Sequence, residues 1–322
     1  MATTTGQVEG VFDLARPSRS LWGDALRRLM RNKMAVAGVC VIVFFALVAL
    51  VAPLLADAHV IPAPDFQSRA RPERGNGGAD LPPVWDKEGK AGYVLGTDNL
   101  GRDILSRIMF GARVSMVVGF IPMIIIVFLG VVIGLVAGYR GGWIDSLLMR
   151  VTDITYAFPD ILFVLILVGA LRDTPVANFL GGLPLIFGAL AIVGWVGVAR
   201  LVRGQVLSLR EKEFIEAARS IGTPDWRIML THLFPNSLAP VIVVATFAVP
   251  GFILTEAFLS FIGIGVKPPT PTWGSLINAG YTSINSSPHE VWIPAICIGM
   301  LTLSFVFLGD GLRDALDPRM KI

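Results

Sequence analysis

The chain has little charge. Asp, Glu, Lys and Arg make up 16% of its 322 residues, where a soluble domain carries about a quarter, and apolar residues make up 54%. Its mean hydropathy is +0.68. Length alone would allow about two domains, but this composition excludes a pair of soluble ones and points to one integral membrane unit. The formal charge of +3 is too small to suggest a nucleic-acid partner, so none is expected. Cysteine is nearly missing. Cys40 and Cys297 both lie in apolar runs, which reads as buried free thiols and excludes a disulfide framework. Histidine is sparse too: His59, His232 and His289 are scattered and suggest no metal site. No nucleotide loop is present, because Gly89-Lys90 is followed by Ala91 and lacks the upstream glycine. No Ser/His/Asp set or paired-carboxylate site is visible. The chain is therefore expected not to be an enzyme, and to need energy from another chain.

What it does have is long apolar runs. Residues 34–56 are long enough to cross a bilayer. Further spans are expected near 114–138, 152–171, 183–201, 238–265 and 292–309, about six in all. The fold class is thus an all-α membrane protein, a polytopic helical bundle. Glycine and proline recur inside the spans, and glycine there permits close helix packing. The Ala56-Asp57-Ala58 sequence mimics a signal-cleavage site. The polar segment and the apolar run before it are both too long for a signal peptide, so 34–56 reads as an uncleaved anchor.

The remaining chain divides around these spans. Residues 1–33 form a polar tail ending in an amphipathic helix, with Leu21, Trp22, Ala25, Leu26, Leu29 and Met30 on one stripe. Arg27, Arg28, Arg31 and Lys33 flank it. Such a helix either lies in the membrane interface or packs on the rest of the protein. Residues 57–111 form the longest non-membrane segment, proline- and glycine-rich at first, with Thr97 or Asp98 as a candidate cap for a following helix. Asp98-Asn99 has some look of a calcium loop, but later oxygen ligands are wrongly spaced. Residues 112–309 form the core, including a polar loop at 204–237, and 310–322 form a tail.

Lysine and arginine set the orientation. Arg27, Arg28, Arg31 and Lys33 precede the first span, Arg140 and Arg150 sit in the next loop on that side, and Arg200, Arg203, Arg210, Lys212, Arg219 and Arg227 crowd the polar loop. The two short loops on the other side hold Arg172 and Lys267. Both termini and the 204–237 loop are therefore expected in the cytoplasm.

That loop is the most informative stretch, EKEFIEAARSIGTPDWRIMLTHLFPNSLAP at 211–240. Phe214, Ile215, Ala218 and Ile221 recur at helical spacing, with Glu213, Glu216 and Arg219 opposite. Gly222 ends that helix as a left-handed C-terminal residue. Thr223 reads as an N-cap, Pro224 as a first helical residue and Asp225 as a first-turn acid. A second short helix is expected to stop before Pro235. Glu256 is the one acid well inside a span, where a lone carboxylate costs roughly 3 kcal/mol. It either lies near a translocation path or is a hydrogen-bonded packing residue. Asp153 and Asp160, nearer helix ends, read as structural.

Glu216-Ala217-Ala218, Gly222 and the closing LFPN resemble the EAA loop of ABC importer permeases. LGTDNLGRDILSRIMFGARVS at 95–115, the Ala137–Gly142 turn with Asp145 and Arg150, ILTEAFLSFIGIGVKPPTPTWGSLI at 253–277 and LGDGLRDALDPR at 308–319 resemble the C-type subunits of dipeptide and oligopeptide importers. The N-terminal tail and the outer segment before Leu95 carry no recognisable motif. The resemblance implies the type I ABC importer permease fold in a bacterial inner membrane. It implies a homologous second permease subunit in a heterodimer, two ATP-binding subunits, and an extracytoplasmic solute-binding protein. ATP and Mg would be bound by those partner subunits, and no cofactor by this chain. The resemblance assigns Glu216, Ala217, Ala218, Arg219, Gly222 and Asp225 to ATPase coupling. Substrates in such systems are dipeptides, longer peptides, glutathione, nickel complexes or haem. An ion-driven secondary transporter would need more ionisable residues inside spans and an internal repeat; a membrane scaffold would need a large recognition domain.

Overall fold

The computed structural model describes residues 21–67, 80–90 and 92–317. The expectations for the first eighteen residues, for the glycines and prolines at 72–78 and for the end of the C-terminal tail lie outside these. Among the described residues the chain is helical, with only two isolated bridges, Gln67 to Arg102 and Thr97 to Asp103. Twelve helices follow in order. They are α1 Leu21–Arg31, α2 Lys33–Asp57, α3 Ile104–Arg140, α4 Gly142–Tyr156, α5 Asp160–Leu171, α6 Pro175–Asn178, α7 Leu183–Leu209, α8 Glu213–Ser220, α9 Asp225–Ile228, α10 Phe234–Phe261, α11 Trp273–Tyr281 and α12 His289–Leu316. Five helical stretches are long and apolar enough to cross a membrane, or six if the bent pair α4–α5 is one span.

The spans differ from the apolar runs at their ends, for physical reasons. α3 begins at Ile104, well before the apolar run, and its 37 residues give a length of about 55 Å, more than a hydrocarbon core of about 30 Å requires. Its polar first turns are held by the 57–103 segment: Ser106 Oγ donates to the Pro62 carbonyl at 2.7 Å and Arg107 to that of Pro64 at 3.1 Å. The cap of α3 is Asp103, whose side chain accepts from the Ser106 amide at 2.8 Å; burial pushes its carboxyl up. Thr97 and Asp98 do not cap it. Thr97 Oγ1 accepts from the Leu81 amide, and Asp98 accepts from the Leu100 and Arg102 amides and from the Arg102 side chain. The third span is not one helix over 152–171. α4 and α5 meet at 79° at Pro159, which disfavours the helical conformation for the residue before it and supplies no amide to the hydrogen-bond ladder. Nor are the thiols uniformly buried: Cys40 is exposed on α2 and Cys297 half-buried.

α7 is the spine. It runs parallel to α3, and Gly130, Gly134 and Gly138, one turn apart, form the seam. A Cβ added at these positions would sit 2.5 Å from Val198 Cβ, 2.6 Å from the Ala199 carbonyl and 2.8 Å from Val206 Cβ. Only a hydrogen fits, so the backbones approach as small-residue stripes allow. α4 is tied to the same helix by Arg203, whose guanidinium grips Asp145 through two bonds of 2.6 and 2.7 Å. Arg200 also reaches Asp153, at 2.6 Å. Three apolar clusters result. One joins α3 and α7 to α8 and α9, one joins α2, α3, α10, α11 and α12, and one joins α3, α5, α7 and the 259–266 turn.

Candidate functional site

The polar stretch between α7 and α10 folds onto the end of the α3–α7 seam. Ile215, Ala218, Ile228 and Leu233 are buried in the same cluster as Ile126, Val198, Val202 and Val206. One face of α8 and α9 is therefore continuous with the core of the spans. The other face is open. Ile221 is 83% exposed, Trp226 61% and Leu230 57%, beside the exposed Glu216, Ala217 and Arg219. Ile221 thus leaves the inner stripe that its spacing suggested. It is the C-terminal cap of α8, where the chain turns left-handed and the helical period ends.

The bend is built by hydrogen bonds. Gly222 has φ +77°, which glycine adopts without a Cβ penalty. Its amide donates to the Arg219 carbonyl at 2.9 Å, and the Thr223 amide donates to the Ala218 carbonyl at 3.1 Å. This pair satisfies the last carbonyls of α8 as a Schellman cap does. The next helix starts one residue later than its cap signal suggested. Pro224 is the N-cap and no side chain caps α9, so Thr223 does not play that part. Asp225 bonds back to the seam while its side chain stays about half exposed. Its Oδ1 accepts from the Tyr139 hydroxyl at 2.9 Å, and Arg140 lies 3.5 Å from Oδ2. The Arg219 guanidinium stacks 5.1 Å above the Tyr139 ring. Arg210 donates to the Gly138 carbonyl at 3.1 Å. Tyr139 and Arg140 belong to the Ala137–Gly142 turn, and Arg140 and Arg210 are noted for their charge, but none of the three is expected from the sequence to contact Asp225 or α8 and α9. Their signal was their position beside the Gly138 turn.

The second short helix does not stop before Pro235. α9 continues through a π turn at Met229–Leu233 into α10, so that 225–261 is one helical stretch. Proline clashes with the carbonyl four residues back, and a turn widened to five-residue closure relieves that conflict. Asn236 Nδ2 donates to the His232 carbonyl at 2.6 Å, and Ser237 Oγ to that of Leu233 at 2.8 Å. No loop thus separates α9 from the α10 span.

Of the six residues marked in this stretch, Glu216, Ala217, Arg219 and Gly222 lie on the open side. Ala218 is turned inward and Asp225 is half-buried in the seam contacts. Glu256 lies far along α10 with no exposed surface. Its Oε1 accepts from Ser260 Oγ at 2.6 Å, and Ser260 also meets the Val266 amide at 3.4 Å. α11 packs so tightly here that a Cβ on Gly274 would lie 2.5 Å from Ala257. Glu256 is not alone as a buried acid, since Glu290 at the start of α12 is only 4% exposed.

Comparison with known proteins adds two family models. Residues 130–322 match the binding-protein-dependent transport system inner membrane component. Residues 20–76 match the N-terminal TM domain of oligopeptide transport permease C, so the N-terminal region without a recognisable motif has a counterpart after all. The chain is 38% identical to a dipeptide transport system permease protein of Bacillus subtilis, over 95% of this chain and 88% of that protein. It is 40% identical to an oligopeptide transport system permease protein of Escherichia coli, over 94% and 92%. To a glutathione transport system permease protein of Pectobacterium atrosepticum it is 35% identical, over 94% and 93%.

Proposed function

Because the chain belongs to the family of binding-protein-dependent transport system inner membrane components, we propose that α8 and α9 are the handle by which an ATPase moves it. The chain is a multi-pass permease subunit of an ABC importer. In our reading the cargo is a dipeptide or oligopeptide, as in the names of its relatives. The α8–α9 end faces the cytoplasm, with both termini. A second permease subunit completes the pathway, two ATP-binding subunits hold ATP and Mg, and a solute-binding protein delivers cargo from outside. This chain hydrolyses nothing itself.

The observation that carries the handle is the single apolar cluster running from Ile126 in α3 through α7 to Ile215, Ala218, Ile228 and Leu233. A force on α8 cannot be absorbed locally, because close-packed interiors transmit strain. Ile221, Trp226 and Leu230 give the ATPase its apolar contact, Ala217 lets it come close, and Glu216 and Arg219 supply charge partners at the rim. Ala218 acts from inside, as part of the weld. Asp225 fixes the angle between handle and seam through Tyr139 and Arg140. Glu256 closes the α10–α11 contact in this scheme and takes no direct part in moving cargo.

Gly222 tests the handle. A branched residue at its φ of +77° costs about 1–2 kcal/mol and shifts α8 against α9. In a reconstituted complex, Gly222→Val should leave ATP hydrolysis running while uptake per ATP falls several-fold. Normal coupled uptake would refute the handle.

A further inference from the structure

A cavity of about 320 Å³ opens between α3, α5, α7 and α10. It is lined by Ile126 of α3, by Gly194 and Gly197 of α7 and by Ala248 and Gly251 of α10, each near the middle of its helix. Asp160, at the start of α5, lines the cavity as well. In sequence it reads as a residue near a helix end. The 79° break before α5 sets that end at the edge of the cavity, and Asp160 stays exposed there with the rest of 157–162. A carboxylate set against apolar walls lines a wet path or meets a partner. Among the described residues Asp160 has no ion-pair partner, and no Lys, Arg or His lines the cavity. Arg200, one turn beyond Gly197 on α7, is already held by Asp153 at 2.6 Å and stacked 4.5 Å over Tyr156.

Two of the lining glycines border the same open space. A Cβ added at Gly197 or Gly251 would meet nothing within 4 Å. Helix packing does not require glycine at either place, and glycine costs about 1 kcal/mol in a helix relative to alanine. These positions keep a space open. The walls are otherwise apolar (Ile161, Val164, Val193, Phe252), with the Thr255 hydroxyl beside them. The geometry points to a binding site for the protonated amino end of the cargo, with Asp160 as counter-charge and the space over Gly197 and Gly251 taking the first side chain. This rests on the reading of the cargo as a peptide.

The test uses the assembled complex without nucleotide, so that peptide added directly reaches the cavity without the binding protein. A thiol is introduced by Gly251→Cys, and in a second variant by Gly197→Cys, on a background lacking Cys40 and Cys297. Its rate of modification by a maleimide is then measured against trialanine and against N-acetyltrialanine. Trialanine should protect the thiol and the acetylated peptide should not. Asp160→Asn should raise the trialanine needed by about tenfold, the loss of one hydrogen bond to a charged group, and Asp160→Glu should restore it. Equal protection by both peptides, no change in Asp160→Asn, or a thiol already blocked without peptide by lipid or the partner permease would each overturn the site. Peptide uptake by proteoliposomes with the wild-type chain is measured in parallel. Uptake without protection contradicts the site alone, whereas no uptake removes the peptide reading beneath it.

Discussion

α7 carries glycine-dependent contacts on two of its sides, and the two are opposite in kind. On the α3 side, Gly130, Gly134 and Gly138 lie against α7 with no room for a methyl group. On the cavity side, Gly197 of α7 and Gly251 of α10 face open space. The same residue type closes one interface and holds the other apart. The lesson is mechanical. A seam with no slack moves as one body with whatever pulls its end, and that end is α8. A wall with slack can change shape when its neighbour moves. In the proposed mechanism the seam transmits and the cavity responds.

Filling each side separates them most sharply. Gly134→Leu drives a side chain into the Ala199 carbonyl and Val202, which relaxation cannot relieve without parting two backbones. Overpacking of even a few methylenes costs about 1–3 kcal/mol, and backbone contacts raise that. The variant should fail to accumulate in the membrane, as a quantitative blot will read. Gly197→Leu should accumulate normally and lose uptake, because its side chain enters a void; loss of the protein itself would erase the distinction.

Smaller changes sharpen the account. Glu256→Gln keeps an oxygen acceptor for Ser260, so uptake should stay within about twofold of wild type, and a loss of tenfold or more would return Glu256 to the transport path. Arg203→Gln removes the two-bond grip on Asp145. These side chains are partly exposed, so solvent screening limits the loss to about 1 kcal/mol, visible as a slightly lower melting temperature of the purified complex. Tyr139→Phe removes the bond to Asp225, worth about 1 kcal/mol. It should lower uptake per ATP modestly with little change in hydrolysis.

Much of this was legible in the sequence, for identifiable reasons. The spans follow from apolar runs, and the Gly222 bend from a glycine just past an amphipathic helix. What escaped depends on neighbours far along the chain. Ile221 matched the inner stripe by spacing, yet the left-handed turn swings it outward. Pro235 read as a stop, but the π turn before it lets the helix pass. Asp160 read as a residue near a helix end, and nothing local to it says that the end borders a cavity. The glycines of the seam and of the cavity look alike in one dimension, since only the facing helix tells them apart.

The central claim is that α8 and α9 stand on the cytoplasmic side, in the grip of an ATPase. A single thiol placed by Ile221→Cys, with Cys40 and Cys297 replaced, tests it with a membrane-impermeant maleimide. Labelling should appear only after the inner membrane is permeabilised, and should fall when the ATP-binding subunits are co-expressed. Labelling in intact cells would place the handle on the wrong side and contradict the account.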